Sequence, residues 1–133
     1  MKRHLHCKRL ASDSPAWAAK AILLDSKECL RVKEYDLFLP LRYNDGTPIE
    51  AIKFRVLQSR LLEYFNGVTF FPQPSQGLWK AAGVTYRDEI VIYRVVTGSV
   101  RSARQFLRRL KEELKAALQQ EEIFIVERDV RQL

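Results

Sequence analysis

The clearest pattern in the chain is an alternation of apolar and polar positions that begins near residue 35. Leu37, Leu39 and Leu41 recur at every second position, which is the period of a β-strand with one buried face. Asn44-Asp45-Gly46 predicts a turn after this strand. Thr47-Pro48-Ile49-Glu50 combines a capping box with proline at the first helical position, so it predicts the start of a helix.

Two later segments have apolar residues at helical spacing on one face. The first helix is predicted to end at Asn66-Gly67, a left-handed stop. Ser99 is placed to cap the second helix. The apolar stripe of the first helix is Phe54, Leu57, Leu61 and Phe65, and that of the second is Ala103, Phe106, Leu107, Leu110, Leu114 and Leu118.

Three further strands are predicted over Val68–Phe71, Ile90–Val96 and Ile123–Val126. The second strand is expected to end at Pro72, and residues 72–88 are expected to form a long connection punctuated by glycine and proline. The order strand, helix, strand, strand, helix, strand predicts an α+β, ferredoxin-like (βαββαβ) fold. Such a fold has one four-stranded antiparallel sheet with both helices on one face.

The chain has 133 residues and a formal net charge of +7. Residues 1–34 are predicted to be a basic N-terminal appendage with a possible short helix over 15–24, and residues 35–133 the ferredoxin-like domain. Lys20 interrupts the apolar stretch of the appendage, so it makes a poor signal peptide. We therefore expect a cytoplasmic protein with no membrane partner. We expect no cofactor, because phosphate-loop and dinucleotide motifs are missing.

Two amphipathic helices on one face leave the other face of the sheet uncovered. Phe38, Phe71, Tyr93 or Ile92, and Phe124 are the candidates for this open face. A bare apolar face is commonly covered by a partner, by an appendage or by a ligand. We expect self-association, as a homodimer through the sheet face or edge.

The topology brings carboxylates to one end of the sheet. They are Asp45, Asp88, Glu89, Glu121 and Glu122. Clusters of oxygen ligands bind Mg²⁺ or Mn²⁺, and a metal there would activate water against a phosphodiester. Alternatively, Arg42, Lys80 and Arg87 neutralise these carboxylates in ordinary ion pairs.

Trp79 is the most conspicuous residue of the long connection, because it is flanked by Lys80 and followed by Tyr86 and Arg87. An aromatic ring beside cations can stack on a base or clamp an anion. Alternatively, Trp79 closes the end of the core. The candidate ligand-binding residues at this end of the sheet are Tyr43, Asp45, Trp79, Lys80, Asp88 and Glu121.

The second helix carries a basic stripe beside its apolar face. The stripe consists of Arg101, Arg104, Arg108, Lys111 and Lys115. A nucleic-acid backbone can lie along such a stripe, although long basic side chains also cover the edges of a core.

The stretch Tyr35–Glu127 resembles a group of small bacterial proteins of ferredoxin-like type with no assigned activity. The segments that carry the resemblance are residues 35–41, 43–50, 77–79, 88–90 and 120–123. The resemblance implies the fold and a domain start near Tyr35, and it implies no activity. We therefore expect a non-catalytic binding or regulatory module that self-associates. The alternatives are a metal-dependent phosphodiesterase or nuclease, and sequence-independent binding of nucleic acid through the basic tail and stripe.

Overall fold

A computed structural model describes residues 31–133. Its elements, in chain order, are β1 (Val32–Pro40), α1 (Ala51–Phe65), β2 (Thr69–Ala81), β3 (Val84–Thr97), α2 (Val100–Ala117) and β4 (Phe124–Val130). The strands form one antiparallel sheet in the order β2-β3-β1-β4. This confirms the predicted ferredoxin-like fold. The predicted helix over 15–24 and most of the predicted appendage lie outside the described residues.

The core lies between the sheet and the two helices. Alternation along β1 buries Leu37 and Leu39 completely, and Val91 and Val95 of β3 face the same side. The helices contribute the buried residues Leu57, Leu61, Phe65, Ala103, Leu107, Leu110 and Leu114. Both apolar stripes predicted from the sequence therefore face the sheet.

The start of α1 differs from the prediction. The helix begins at Ala51 after Glu50, four residues later than the capping box at Thr47 suggested. Asp45 accepts hydrogen bonds from the backbone nitrogen of Thr47 at 2.9 Å and from its hydroxyl at 2.6 Å. Because this turn occupies the Thr47 hydroxyl, that hydroxyl does not cap the helix. The predicted end is confirmed, since Asn66 has a left-handed φ of 60°.

The second and third strands are much longer than the sequence predicted. Strand β2 continues from Thr69 to Ala81 and β3 starts at Val84, so the expected loop over residues 72–88 is a β-hairpin. A register shift between Phe71 and Ser75 takes up the segment with two prolines. Proline is tolerated at such irregularities and on edge strands, and β2 is an edge strand. The strand therefore resumes beyond Pro74.

Helix α2 begins at Val100, directly after Ser99, where the sequence placed it. The Ser99 side chain makes no capping hydrogen bond, and the Thr97 hydroxyl accepts one from the Ser99 backbone nitrogen at 3.1 Å. Within residues 31–133, neither helix is long and apolar enough to cross a membrane.

Candidate ligand site on the β2–β3 hairpin

The β2–β3 hairpin extends past the rest of the sheet. Pairing of β1 with β3 ends at Pro40 and Ile90, whereas β2 and β3 remain paired from Ser75 and Ile90 to Ala81 and Val84. Residues 75–90, hereafter the hairpin arm, thus form a two-stranded projection. Ala82 and Gly83 close it with positive φ angles of 48° and 79°, as a two-residue hairpin turn of type I′ requires at both positions.

Trp79 and Tyr86 form an aromatic platform on one face of the hairpin arm. The two residues are register partners, and their rings stack with centroids 4.5 Å apart at an interplanar angle of 17°. Trp79 Nε1 donates a hydrogen bond to Asp88 Oδ2 at 2.6 Å, which fixes the indole. The two side chains are still 49% and 43% exposed. The platform is thus held in place and open to a planar ligand.

Lys80 lies on the other face of the hairpin arm. Side chains alternate along a strand, so Lys80 and its register partner Thr85 share the face of Leu78 and Arg87, opposite Trp79. The cations Lys80 and Arg87, which lie near Trp79 in the sequence, are thus on the opposite face of the hairpin arm. The charged group next to the platform is the carboxylate of Asp88. This face suits a cationic or neutral ring better than an anion.

Tyr43 belongs to a separate cluster, at the beginning of α1. Its hydroxyl hydrogen-bonds to Glu50 and accepts a hydrogen bond from Lys53 Nζ at 2.6 Å. The hydrogen bond that Tyr43 donates lowers the pKa of Glu50, and the hydrogen bond that Lys53 donates to Tyr43 raises the pKa of Lys53. Lys53 also donates to the carbonyl of Ala117 at 2.8 Å, so the cluster ties α1 to the end of α2.

Four of the five carboxylates predicted at this end of the sheet have separate partners. Asp45 is bound by Thr47, which lowers its pKa, and Asp88 is bound by Trp79. Glu89 lies 3.8 Å from Arg42, while Glu121 is exposed in the α2–β4 connection.

Glu122 contacts Lys111 at 2.7 Å, and this ion pair lowers its pKa. In residues 31–133, groups of three or more His, Cys, Asp or Glu side chains that could hold a metal ion are absent. Three basic residues were predicted to pair with these carboxylates. Of these, Arg42 contacts one, that of Glu89.

The basic stripe of α2 is largely paired with acidic side chains. Arg104 donates two hydrogen bonds to Glu127, at 2.7 and 2.6 Å. Lys111 pairs with Glu122 and Lys115 with Glu112. Arg101 and Arg108 remain exposed on the same helix. These ion pairs reduce the positive electrostatic potential that would attract a phosphate backbone to the stripe.

A cluster of four charged residues on the open sheet face was missed by sequence reasoning. It consists of Glu34 and Asp36 of β1, Arg94 of β3 and Arg128 of β4, hereafter the charge quartet. Asp36 is 2% exposed beneath the two arginines, which lower its pKa, Arg94 most strongly. The signal was available, because Asp36 occupies an open-face position of the alternating strand.

Tyr86 was likewise not among the predicted ligand-binding residues. The alternation of Val84, Tyr86 and Asp88 before Ile90 indicated a longer third strand, and its pairing with Trp79 follows from that extension.

Neither family models nor curated protein sequences match this chain. Among solved structures, a phage SAM lyase in complex with S-methyl-5′-thioadenosine has a TM-score of 0.58 at 13% identity, covering 77% of this chain and 85% of that one. The same kind of phage enzyme in its apo state has a TM-score of 0.57 at 14% identity, with coverages of 76% and 84%. At this identity the likeness establishes the shared fold.

Proposed function

We propose that this protein binds S-adenosylmethionine or a related sulfur-containing adenine nucleoside. The observation that carries the proposal is the fold match to a SAM lyase bound to S-methyl-5′-thioadenosine, over 77% of this chain. Because one fold hosts many functions, the choice of ligand also needs support from the chemistry of the candidate site.

The aromatic platform supplies that chemistry. Stacking of a base on an aromatic side chain contributes about 1–3 kcal/mol to binding. Trp79 and Tyr86 offer two exposed rings for such stacking. The sulfonium of S-adenosylmethionine is a cation, which the face of an aromatic ring attracts. Asp88 adds a carboxylate beside Trp79, while Lys80 lies on the opposite face. The site thus favours a cationic nucleoside over a nucleotide with several phosphates.

The experiment is isothermal titration of the full chain with S-adenosylmethionine and S-methyl-5′-thioadenosine, with ATP for comparison. Trp79→Ala is expected to weaken binding of the sulfur nucleosides at least tenfold. Leu78→Ala is the matched control, because Leu78 is exposed on the other face of the same arm, and it should leave the affinity within about twofold. Absence of binding at millimolar nucleoside, or equal effects of the two variants, would contradict the proposal.

Catalysis is the second candidate function, favoured by the same fold match. Incubation of the protein with S-adenosylmethionine, followed by chromatography, detects release of S-methyl-5′-thioadenosine. Turnover above a buffer control would make the protein an enzyme. Binding without turnover would leave it the non-catalytic binding module that its sequence predicts.

We also propose that the chain is cytoplasmic and self-associates. Self-association is supported by the apolar side chains that remain exposed on the open sheet face, Phe71 and Phe124 among them. The proposed cytoplasmic location rests on the sequence alone, whose two cysteines are too few for a disulfide scaffold.

A further inference from the structure

The open sheet face carries one row of apolar side chains that crosses all four strands. In the observed register, Phe71 of β2 faces Ile92 of β3, which faces Phe38 of β1, which faces Phe124 of β4. The Phe38 and Phe124 rings lie 5.6 Å apart, and Phe71 and Phe124 are 41% and 62% exposed. Tyr93 was the other candidate for the open face on this strand. It instead faces the core, where its hydroxyl accepts a hydrogen bond from Gln58.

The charge quartet lies directly beside this apolar row. Arg94 Nε is 2.8 Å from Asp36 and 3.1 Å from Glu34, and Arg128 contacts the same two carboxylates. Two acidic and two basic groups thus neutralise each other within one chain. Covering them leaves no charge unpaired, so the burial costs their desolvation but not the larger penalty of an uncompensated charge.

We propose that a second copy of this chain covers the open face, with the apolar row at the centre of the contact and the charge quartet beside it. The quartet is neutral although the protein has a net charge of +7. A nucleic acid or another strongly charged partner therefore finds no complementary charge in the quartet. A second copy, which presents the same apolar row and the same neutral quartet, meets no net repulsion there.

The size of the face agrees with a dimer contact. Four strands about 4.8 Å apart and about nine residues long cover about 600 Å² on each copy. Two copies would thus bury about 1,200 Å², which is the lower end of specific protein–protein interfaces. We therefore expect a dimer that dissociates on dilution rather than a permanent one.

This proposal specifies the surface of the proposed self-association, and it does not depend on the nucleoside ligand. The aromatic platform lies on the hairpin arm beyond the four-stranded part of the sheet. Oligomeric state and nucleoside binding are measured separately, so either proposal can fail while the other stands.

The test is sedimentation velocity of the full chain over low to high micromolar concentrations. The wild type is expected to pass from a 15.6 kDa monomer to a species of twice that mass. Phe124→Asp, a change at an exposed position, should weaken the dimer at least tenfold. Leu62→Asp is the matched control on the helix layer, where Leu62 is also exposed, and it should dimerise like the wild type.

Circular dichroism melting shows that both variants are folded before the comparison is made. Three results would overturn the proposal: a wild type that stays monomeric, a Phe124→Asp variant that dimerises unchanged, or a Leu62→Asp variant that dissociates. Because the charges are paired within each copy, 1 M salt should leave the dimer in place. Dissociation by salt would indicate a contact between exposed charges and would also overturn it.

Discussion

Asp36 and Arg94 face each other across β1 and β3, and the guanidinium donates two hydrogen bonds to the carboxylate, at 2.8 and 2.9 Å. Arg128 reaches the same carboxylate from β4. One aspartate thus connects the three strands β3, β1 and β4 on the open face of the sheet.

Asp36→Ala is expected to lower the free energy of unfolding by about 2–3 kcal/mol, because it leaves two arginines short of their shared partner. Urea unfolding at low protein concentration measures this loss. Asp129→Ala removes an exposed carboxylate that pairs with Lys33, and such exposed pairs contribute at most about 1 kcal/mol. Equal losses in the two variants would contradict the structural role of Asp36.

The pH dependence of stability should depend measurably on Glu127. Arg104, and then Lys33, lower the pKa of this carboxyl to about 2. A carboxyl with a lower pKa in the folded state stabilises the fold above its unfolded pKa, and that contribution is lost as the pH falls toward the folded value. The protein should therefore lose stability as the pH falls from about 4.5 toward 2.

Glu127→Gln removes this titration, so its unfolding free energy should fall less between pH 7 and pH 3 than that of the wild type. Glu63→Gln, at an exposed position of α1, is the control. Its unfolding free energy should fall between pH 7 and pH 3 by as much as that of the wild type. An unchanged pH dependence in Glu127→Gln would contradict the ion pair with Arg104.

Two substitutions in the hairpin turn should change the stability of the hairpin arm in opposite directions. Ala82 has a φ of 48°, a left-handed conformation that is unfavourable for alanine and better tolerated by asparagine. Ala82→Asn should therefore stabilise the hairpin arm by about 0.5–1 kcal/mol, whereas Ala82→Val should destabilise it. Hydrogen exchange of the arm amides is the suitable measurement, because a projecting hairpin opens locally. Faster exchange in Ala82→Asn would argue against this turn.

The elements that the sequence predicted are those in which one local signal had no competitor. Leu37 and Leu39 alternate without interruption, and Leu57, Leu61 and Phe65 mark the buried side of α1. The open-face row followed from the same alternation. In each case burial on one face reinforces the local preference.

The hairpin arm escaped prediction because Pro72, Pro74 and Gly77 signal a break, and the register shift that takes up the proline segment depends on pairing with β3. The candidate site changed as a consequence. An interrupted loop places Trp79 beside Lys80, whereas a strand places them on opposite faces. The predicted start of α1 was wrong for a similar reason, since the Thr47 hydroxyl hydrogen-bonds to Asp45 instead of capping the helix.

Divalent cations should leave the melting temperature unchanged. Asp45, Asp88, Glu89 and Glu122 contact different partners. Within residues 31–133, no three His, Cys, Asp or Glu side chains are grouped so that they could hold a metal ion. Millimolar Mg²⁺ or Mn²⁺ should therefore shift the melting temperature by less than about 1 °C relative to EDTA. A cation at 100 times its dissociation constant would instead add about 2.7 kcal/mol, which is several degrees for a domain of this size.

The control is the double variant Glu121→Gln, Glu122→Gln. A shift of several degrees in the wild type that disappears in this variant would contradict the separate pairing of the carboxylates and favour the alternative of a metal-dependent phosphodiesterase. Zinc is left out of this test because it also binds His and Cys side chains, and the sequence contains His4, His6, Cys7 and Cys29. Mg²⁺ and Mn²⁺ prefer oxygen ligands, so their effect reports on the carboxylates alone.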